Sequence, residues 1–455
     1  MNLSEAARAV SGVLEGSDAH FSSVSTDTRS IAPGDLFVAL RGERFDGHEF
    51  VQAAMNSGAV GVLVDKTSRR GAAPTSTPIV VVEDTKAGLG SLAAAWRSRF
   101  EMPVIGVVGS NGKTTVKEMI ASILQAEKGD GAYLATRGNL NNDIGLPLTV
   151  LRMRQEHAAA VLEIGMNHPG ETSWLAAIAR PTIAVINNAQ REHQEFMHSV
   201  EEVAREHARL VAALPQGGVA VVNADDAFAA LWRETAASVG AEVRDFGLDQ
   251  PAAVSARVKA GDFSSELELE LPEGEVRFTL PLAGLHNARN ALAAAAAATA
   301  AGASPRAVAR GLSGFGGVKG RQQRTVSRSG ATVIDDTYNA NPESVRAAID
   351  VLGRFAQPTV LVLGDMGEVG DQGVAFHREV GAYARQSGIQ YLLALGELAR
   401  HSVQAFGSQG THAAGLEDLL QQVKGLDQPG ATLLIKGSRF MRMERVVAAL
   451  AGGVH

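Results

Sequence analysis

The sequence predicts an α/β protein of three domains, with mostly parallel sheets in the central and C-terminal ones. Three observations carry that expectation. At 455 residues the chain exceeds one ordinary core, and about three domains is the prior for such a length. Short apolar runs alternate with segments of helical periodicity, the pattern of a parallel sheet covered on both faces. A glycine-rich turn joins one such run to one such helix, where a phosphate-binding turn belongs.

The elements follow in order. The first segment, residues 1–98, closes with a loop from Arg69 to Pro78, a strand at Ile79–Val82 and a helix through Trp96. The second, residues 99–319, opens with a strand after Met102-Pro103, and further buried strands are expected at Ala160–Ile164 and Ile183–Ile186. Leu267, Leu269 and Leu271, then Val276, Phe278 and Leu280, alternate around Pro272-Glu273-Gly274-Glu275, which reads as a β-hairpin. The Ala-rich run from Ala291 to Ala301 reads as a closely packed helix. The third segment, residues 320–455, offers strands at Thr332–Ile334, Thr359–Leu363, Tyr391–Leu395 and Thr432–Ile435, with Val345, Ala348, Ile349 and Leu352 marking a helix between them. Ligands of such sheets bind beyond the strand C-terminal ends. Asp335-Asp336, Gly364-Asp365 and Lys436-Gly437-Ser438 stand there.

The turn itself is Gly109-Ser110-Asn111-Gly112-Lys113-Thr114-Thr115, after the run Val104 to Val108. Val116, Met119, Ile120, Ile123 and Leu124 then recur at helical spacing. Glycines let backbone N–H groups close around phosphate oxygens, and the helix N-terminus adds positive potential. Lys113 would reach the terminal phosphates and the Thr114 hydroxyl would bind Mg2+. The common P-loop pattern has its first glycine where Val107 stands, with Gly106 and Gly109 flanking it here. The alternative is a tight turn with a solvated lysine.

Composition excludes other classes. With 45% hydrophobic and 20% charged residues the chain reads as a soluble globular protein. A net charge of −7 without a long basic block argues against nucleic-acid and anionic-membrane surfaces. The absence of cysteine excludes disulfides, thiolate catalysis and zinc–thiolate sites, and fits a reducing compartment. The start MNLSEAARAVSGVL lacks the marks of a signal peptide, and no apolar run reaches the length of a membrane span.

Other residues carry chemistry. Glu163 stands inside an apolar strand, where a carboxylate is costly unless it meets a cation. Beside a P-loop that cation is Mg2+, and a buried ion pair is the alternative. His193 follows the strand Ile183–Ile186 at the same sheet end, as a ligand or as a structural histidine. The run Asn139, Asn141, Asn142, Asp143 fits either a ligand contact or a turn. Asn287 and Asn290 suit a base edge, although Asn is also a common helix cap. Asp336, Tyr338, Asn339 and Asn341 cluster beyond a third-segment strand. Arg321 and Arg324 precede them, to stabilise a transferring phosphoryl group or simply solvated.

Together these stretches resemble the Mur ligase family, ATP-dependent amide-forming enzymes of peptidoglycan synthesis. The resemblance spans essentially the whole chain: Ser25 to Arg29, Pro33 to Gly42, Gly109 to Thr115, Asn139 to Pro147, Glu163 to Glu171, His286 to Asn290, Asp335 to Pro342, Gly364 to Glu368 and Lys436 to Arg439. The P-loop is shared by many NTPases. Asn139 to Pro147 and Tyr338 to Pro342 are more specific, to the branch that adds D-alanyl-D-alanine to UDP-N-acetylmuramoyl-tripeptide. The resemblance implies a small α/β uridine-nucleotide domain, a central P-loop ATPase domain and a C-terminal Rossmann-like domain binding the dipeptide. It implies a cytoplasmic monomer with no nucleic-acid partner and no membrane insertion.

Roles follow from the same resemblance. Gly109, Ser110, Asn111, Gly112, Lys113, Thr114 and Thr115 would hold ATP. Thr114 and Glu163 would hold one Mg2+ and His193 a second. Asn287 and Asn290 would face adenine, and Arg321 and Asp336 would reach the nucleotide from the third domain. Thr26, Arg29, Arg41, Asn139, Asn141, Asn142 and Asp143 would contact the UDP-linked substrate, and Tyr338, Asn339 and Asn341 the dipeptide. Lys113, Glu163, His193 and Arg321 would carry the chemistry, in which a substrate carboxylate takes the γ-phosphate and the dipeptide amine displaces it. Many members carry a lysine in the helix after the His193 strand, whose CO2-derived carbamate helps hold the second metal. Here no lysine occurs between Lys128 and Lys259, and His207 or Glu206 stands nearest. The Asp-Asn-Pro-Arg tetrapeptide of the diaminopimelate-adding branch is absent. Folate polyglutamylating ligases lack the first-domain motifs, and a P-loop switch would not need the third-domain cluster.

Overall fold

The computed structural model describes residues 1–42, 45–68, 77–192 and 194–451. The central sheet runs, edge to edge, Glu242–Phe246, Val219–Asn223, Ile183–Ile186, Val104–Val108, Ala159–Glu163 and Tyr133–Ala135, all parallel. The P-loop strand Val104–Val108 is therefore central and buried on both faces, which is why it reads as an apolar run, β-branched except at Gly106. The helix Lys113–Lys128 follows directly. Its apolar stripe of Val116, Met119, Ile120, Ile123 and Leu124 is fully buried. The helix Leu285–Ala300 packs against it and against the sheet. Alanine keeps that contact close, and Ala291 through Ala298 are all buried. The hairpin has the expected register, Leu269 opposite Val276 and Leu267 opposite Phe278, and gains a third antiparallel strand at Ser255–Ala260.

The first segment forms a sheet ordered Val13–Glu15, Ile79–Val82, Gly61–Asp65, Asp35–Val38 and Ser23–Ser25, parallel except for its first strand. One face packs on Val51 and Ala54. The other shares a continuous core with the middle of the chain, Leu36, Leu89 and Leu92 joining Val150, Leu175 and Ile178. The helix Thr85–Arg97, capped by the Asp84 side chain, carries that junction. Trp96 Nε1 donates to the Met153 carbonyl at 3.1 Å and Arg97 to the Ala179 carbonyl at 2.9 Å.

The third segment forms a sheet ordered Gln323–Val326, Thr332–Asp336, Thr432–Lys436, Thr359–Gly364, Tyr391–Leu395 and Gly410–Ala413, parallel except for the first strand. Helices cover both faces. The expected strands are present, most of them a residue or two longer. Val219–Asn223, Gly61–Asp65, Asp35–Val38 and the short edge strands were not anticipated: the first two are apolar runs too short for periodicity to tell strand from helix, and the others are short and of mixed polarity. Among the described residues no helix is long and apolar enough to cross a membrane.

Candidate active site

The C-terminal ends of the central strands and of Thr332–Asp336 face one another across a cleft of about 1240 Å3. The P-loop lies at its centre. Gly112 is the N-cap of the P-loop helix at φ 81°, and a Cβ there would collide with the Asn290 and Asn187 amides. Only glycine permits both the left-handed turn and that approach. The segment Asn187 to Gln190 braces the turn from the neighbouring strand. Ser110 N donates to the Asn188 carbonyl at 3.1 Å and Asn111 N to Asn188 Oδ1 at 2.8 Å, while Gln190 N donates to Ser110 Oγ at 2.8 Å.

Lys113 does not point into open solvent. Its ammonium donates to the Gly109 carbonyl and to Glu192 Oε2 at 3.2 Å. Glu163 sits on the last position of its strand, 2% exposed. Its Oε1 accepts from the Thr114 hydroxyl at 3.1 Å and from Asn141 Nδ2 at 2.7 Å, and Oε2 is buried without a hydrogen-bond partner. A buried orphan carboxylate oxygen beside a hydroxyl is a donor set suited to a hard cation.

The third segment reaches into this site. Arg321 Nη2 donates to Thr114 Oγ1 at 2.9 Å, its guanidinium 4.2 Å from the Tyr338 ring centre. Asn111 and Asn341 exchange amide hydrogen bonds at 3.2 and 3.0 Å. Asn341 also caps the helix Pro342–Leu352. Asp336 accepts from Lys436 Nζ at 2.6 Å, and Lys436 donates again to the Asn339 carbonyl at 2.9 Å. Arg191, next to the phosphate turn, forks onto Glu379 with two bonds of 2.8 Å and bonds Glu343 at 2.5 Å. The hydrogen bond from Arg191 holds the Glu379 carboxyl below the usual carboxylate range.

Three family models match in chain order: the Mur ligase family catalytic domain at residues 20–97, the middle domain at 107–298 and the glutamate ligase domain at 320–439. The UDP-N-acetylmuramoyl-tripeptide--D-alanyl-D-alanine ligase of Escherichia coli K12 is 38% identical, over 99% of this chain and 98% of that one. The chain belongs to the Mur ligase family. Members of this family are ATP-dependent ligases. A crystal structure of MurF from Acinetobacter baumannii superposes with a TM-score of 0.90 at 34% identity, covering 99% of this chain and 98% of that one. The Thermotoga maritima MurF ligase, solved in complex with ADP, shares the fold at 24% identity, with a TM-score of 0.82 over 94% of this chain and 97% of that one.

The cleft gathers most of the residues that the Mur ligase resemblance implied. Ser110 to Thr115, Asn141, Asn142, Asp143, Glu163, Asn287, Asn290, Arg321, Asp336, Tyr338, Asn339 and Asn341 all line it. Gly109, Asn139, Thr26, Arg29 and Arg41 do not. Gly109 backs the turn through its carbonyl. Arg29 pairs with Asp27 at 2.6 Å, and Arg41 with Asp65 at 2.9 Å. His193 lies outside the described residues. Asn287 and Asn290 are not helix caps, since Gly284 holds that position. Their amides bond instead to the Ala283 carbonyl at 2.8 Å and to Asn187 at 2.9 Å. Arg324 does not line the cleft and is exposed, as the solvated alternative has it, with its guanidinium 3.8 Å from the Phe263 ring centre. Glu206 turns away from the cleft to accept from Thr172 N at 2.9 Å, so it supplies no anion to the cluster. His207 instead lies with Nε2 3.3 Å from Glu192 Oε1.

Three residues at or behind the site escaped sequence reasoning. Glu192 and Arg191 carry no local pattern, and their partners are distant in sequence. Lys117 left a signal: it shares a face with Ile120, Ala121 and Leu124, an odd place for a lysine. It is fully buried, with Nζ donating to the Thr136 carbonyl at 2.8 Å.

Proposed function

We propose that this chain joins D-alanyl-D-alanine to the C-terminal carboxylate of a UDP-N-acetylmuramoyl-tripeptide in the cytoplasmic assembly of peptidoglycan precursors: the carboxylate takes the γ-phosphoryl group of ATP, releasing ADP, and the dipeptide amine then displaces phosphate from the acyl phosphate. The observation that carries the reading is the meeting of Arg321 from the third segment with Thr114 of the P-loop, beside Lys113 and Glu163. Phosphoryl transfer and then amine attack both build negative charge on oxygens. Lys113 and Arg321 stand where preorganised cations offset that charge. Thr114 and Glu163 would hold Mg2+, with His193 as the ligand of a second ion. Such a metal polarises the phosphoryl oxygens. The first domain would hold the uridine nucleotide through Thr26, Arg29 and Arg41. Asn339 and Asn341 line the cleft and would contact the dipeptide, although Asn341 already spends its amide on Asn111 and the helix cap. The protein acts as a monomer.

The test is phosphate release from ATP with UDP-muramoyl tripeptides, varied at the third residue, plus D-alanyl-D-alanine. Release should require both substrates. ATP hydrolysis indifferent to either would mark a P-loop switch instead.

A further inference from the structure

The anion bound to Lys113 in this structure is a side chain. Glu192 divides its carboxylate between the Lys113 ammonium, 3.2 Å from Oε2, and the His207 imidazole, 3.3 Å from Oε1. Both are secluded: Glu192 is 7% exposed and His207 1%. Removing a carboxylate from water is costly unless it is paired on the spot, and the Lys113 ammonium is a cation within reach to pair it. The segment carrying it cannot drift, because Asn187, Asn188 and Gln190 are bonded to Ser110 and Asn111 of the turn. His207 is fixed in turn by the helix Val200–Ala212, whose inner face is buried.

We propose that Glu192 is an internal counter-ion standing in for the nucleotide's terminal phosphates. It holds the Lys113 ammonium inside the cradle until a phosphate takes it, and His207 keeps the released carboxylate partnered. The inference rests on the reading that Gly109 to Thr115 binds nucleotide phosphates. Its consequence is competition: an anion that must be displaced lowers the apparent affinity for any ligand needing Lys113. A diphosphate reaches that lysine and a monophosphate does not. His207 acts with the opposite sign, since a polar group beside Oε1 favours the carboxylate once Lys113 has left it.

Calorimetric titration of ADP and AMP in EDTA tests this without a metal, on variants whose thermal unfolding confirms the fold. Glu192→Gln should tighten ADP roughly tenfold, as the loss of one charged hydrogen bond implies, and leave AMP unchanged. His207→Gln should weaken ADP. In a Lys113→Ala background, Glu192→Gln should have no effect. The proposal is overturned if Glu192→Gln weakens ADP or leaves it unchanged. It is equally overturned if the gain persists without Lys113, which would mean simple repulsion across the cleft. Lys113→Ala failing to weaken ADP would instead remove the phosphate-cradle reading, and the proposal with it.

Discussion

At the scale of single residues, the site divides by how local its chemistry is. Lys113 and Thr114 were legible because a strand, a turn and a helix start lie side by side in sequence, and Glu163 because a carboxylate ends an otherwise apolar strand. Glu192 was not, because its meaning comes from a lysine 79 positions away. His207 lies between these cases: the missing lysine singled it out, and the structure then gave it a partner that the sequence did not name. The same absence makes a prediction. A carbamate needs a lysine amine, and none occurs between Lys128 and Lys259. Of the lysines on the P-loop helix's first turns, Lys113 is held by Glu192 and Lys117 is bonded to Thr136 and Glu118. Turnover in CO2-stripped buffer should therefore match turnover with added bicarbonate. Stimulation by bicarbonate would show that a carbamylated lysine operates in this protein after all.

At the scale of elements, the P-loop helix shows how packing turns a sequence pattern into a site. Its apolar stripe predicted the helix, but the stripe alone does not explain Lys117, which interrupts it. The ammonium bonds the Thr136 carbonyl, and the Thr136 hydroxyl in turn accepts from Glu163 N at 3.0 Å. Helix, loop and strand are thereby tied together behind Glu163, the carboxylate that faces the P-loop threonine. That link was illegible in sequence because Thr136 carries no motif. Lys117→Met keeps the buried stem but leaves the Thr136 carbonyl without its donor. Such a loss costs about 1 to 3 kcal/mol of stability, readable as a lower urea midpoint with an unchanged slope. An unchanged midpoint would mean that the carbonyl finds another donor and that the lysine only fills space.

At the scale of the whole molecule, the α/β class followed from alternation in the second and third segments, whereas the sheet of the first segment came only with the family resemblance and the way the third segment meets the second was not legible at all. Contacts across that junction join residues with no shared periodicity. Three of them surround the phosphate turn: Arg321 on Thr114, Asn341 on Asn111, and Arg191 on Glu379 and Glu343. The last is the one that can be cut without touching the nucleotide cradle, because Glu379 stands on the helix Gly373–Gln386 and does not line the cleft. Arg346 also bonds Glu379 at 3.1 Å, so removing this carboxylate takes a partner from two arginines, while Arg191 keeps Glu343. A two-pronged arginine–carboxylate pair is among the stronger ionic contacts. The participants are each a quarter to under a half exposed, however, and solvent screens them, so the loss should be on the order of 1 kcal/mol. If closure of the third segment on the second assembles the dipeptide site, that loss appears in a particular place. Glu379→Ala should raise the apparent KM for D-alanyl-D-alanine roughly fivefold, widen the molecule in small-angle scattering, and leave ADP affinity within about twofold. A variant that loses ADP affinity instead, with dipeptide KM unchanged, would mean that this clamp shapes the phosphate turn rather than the junction between the two segments.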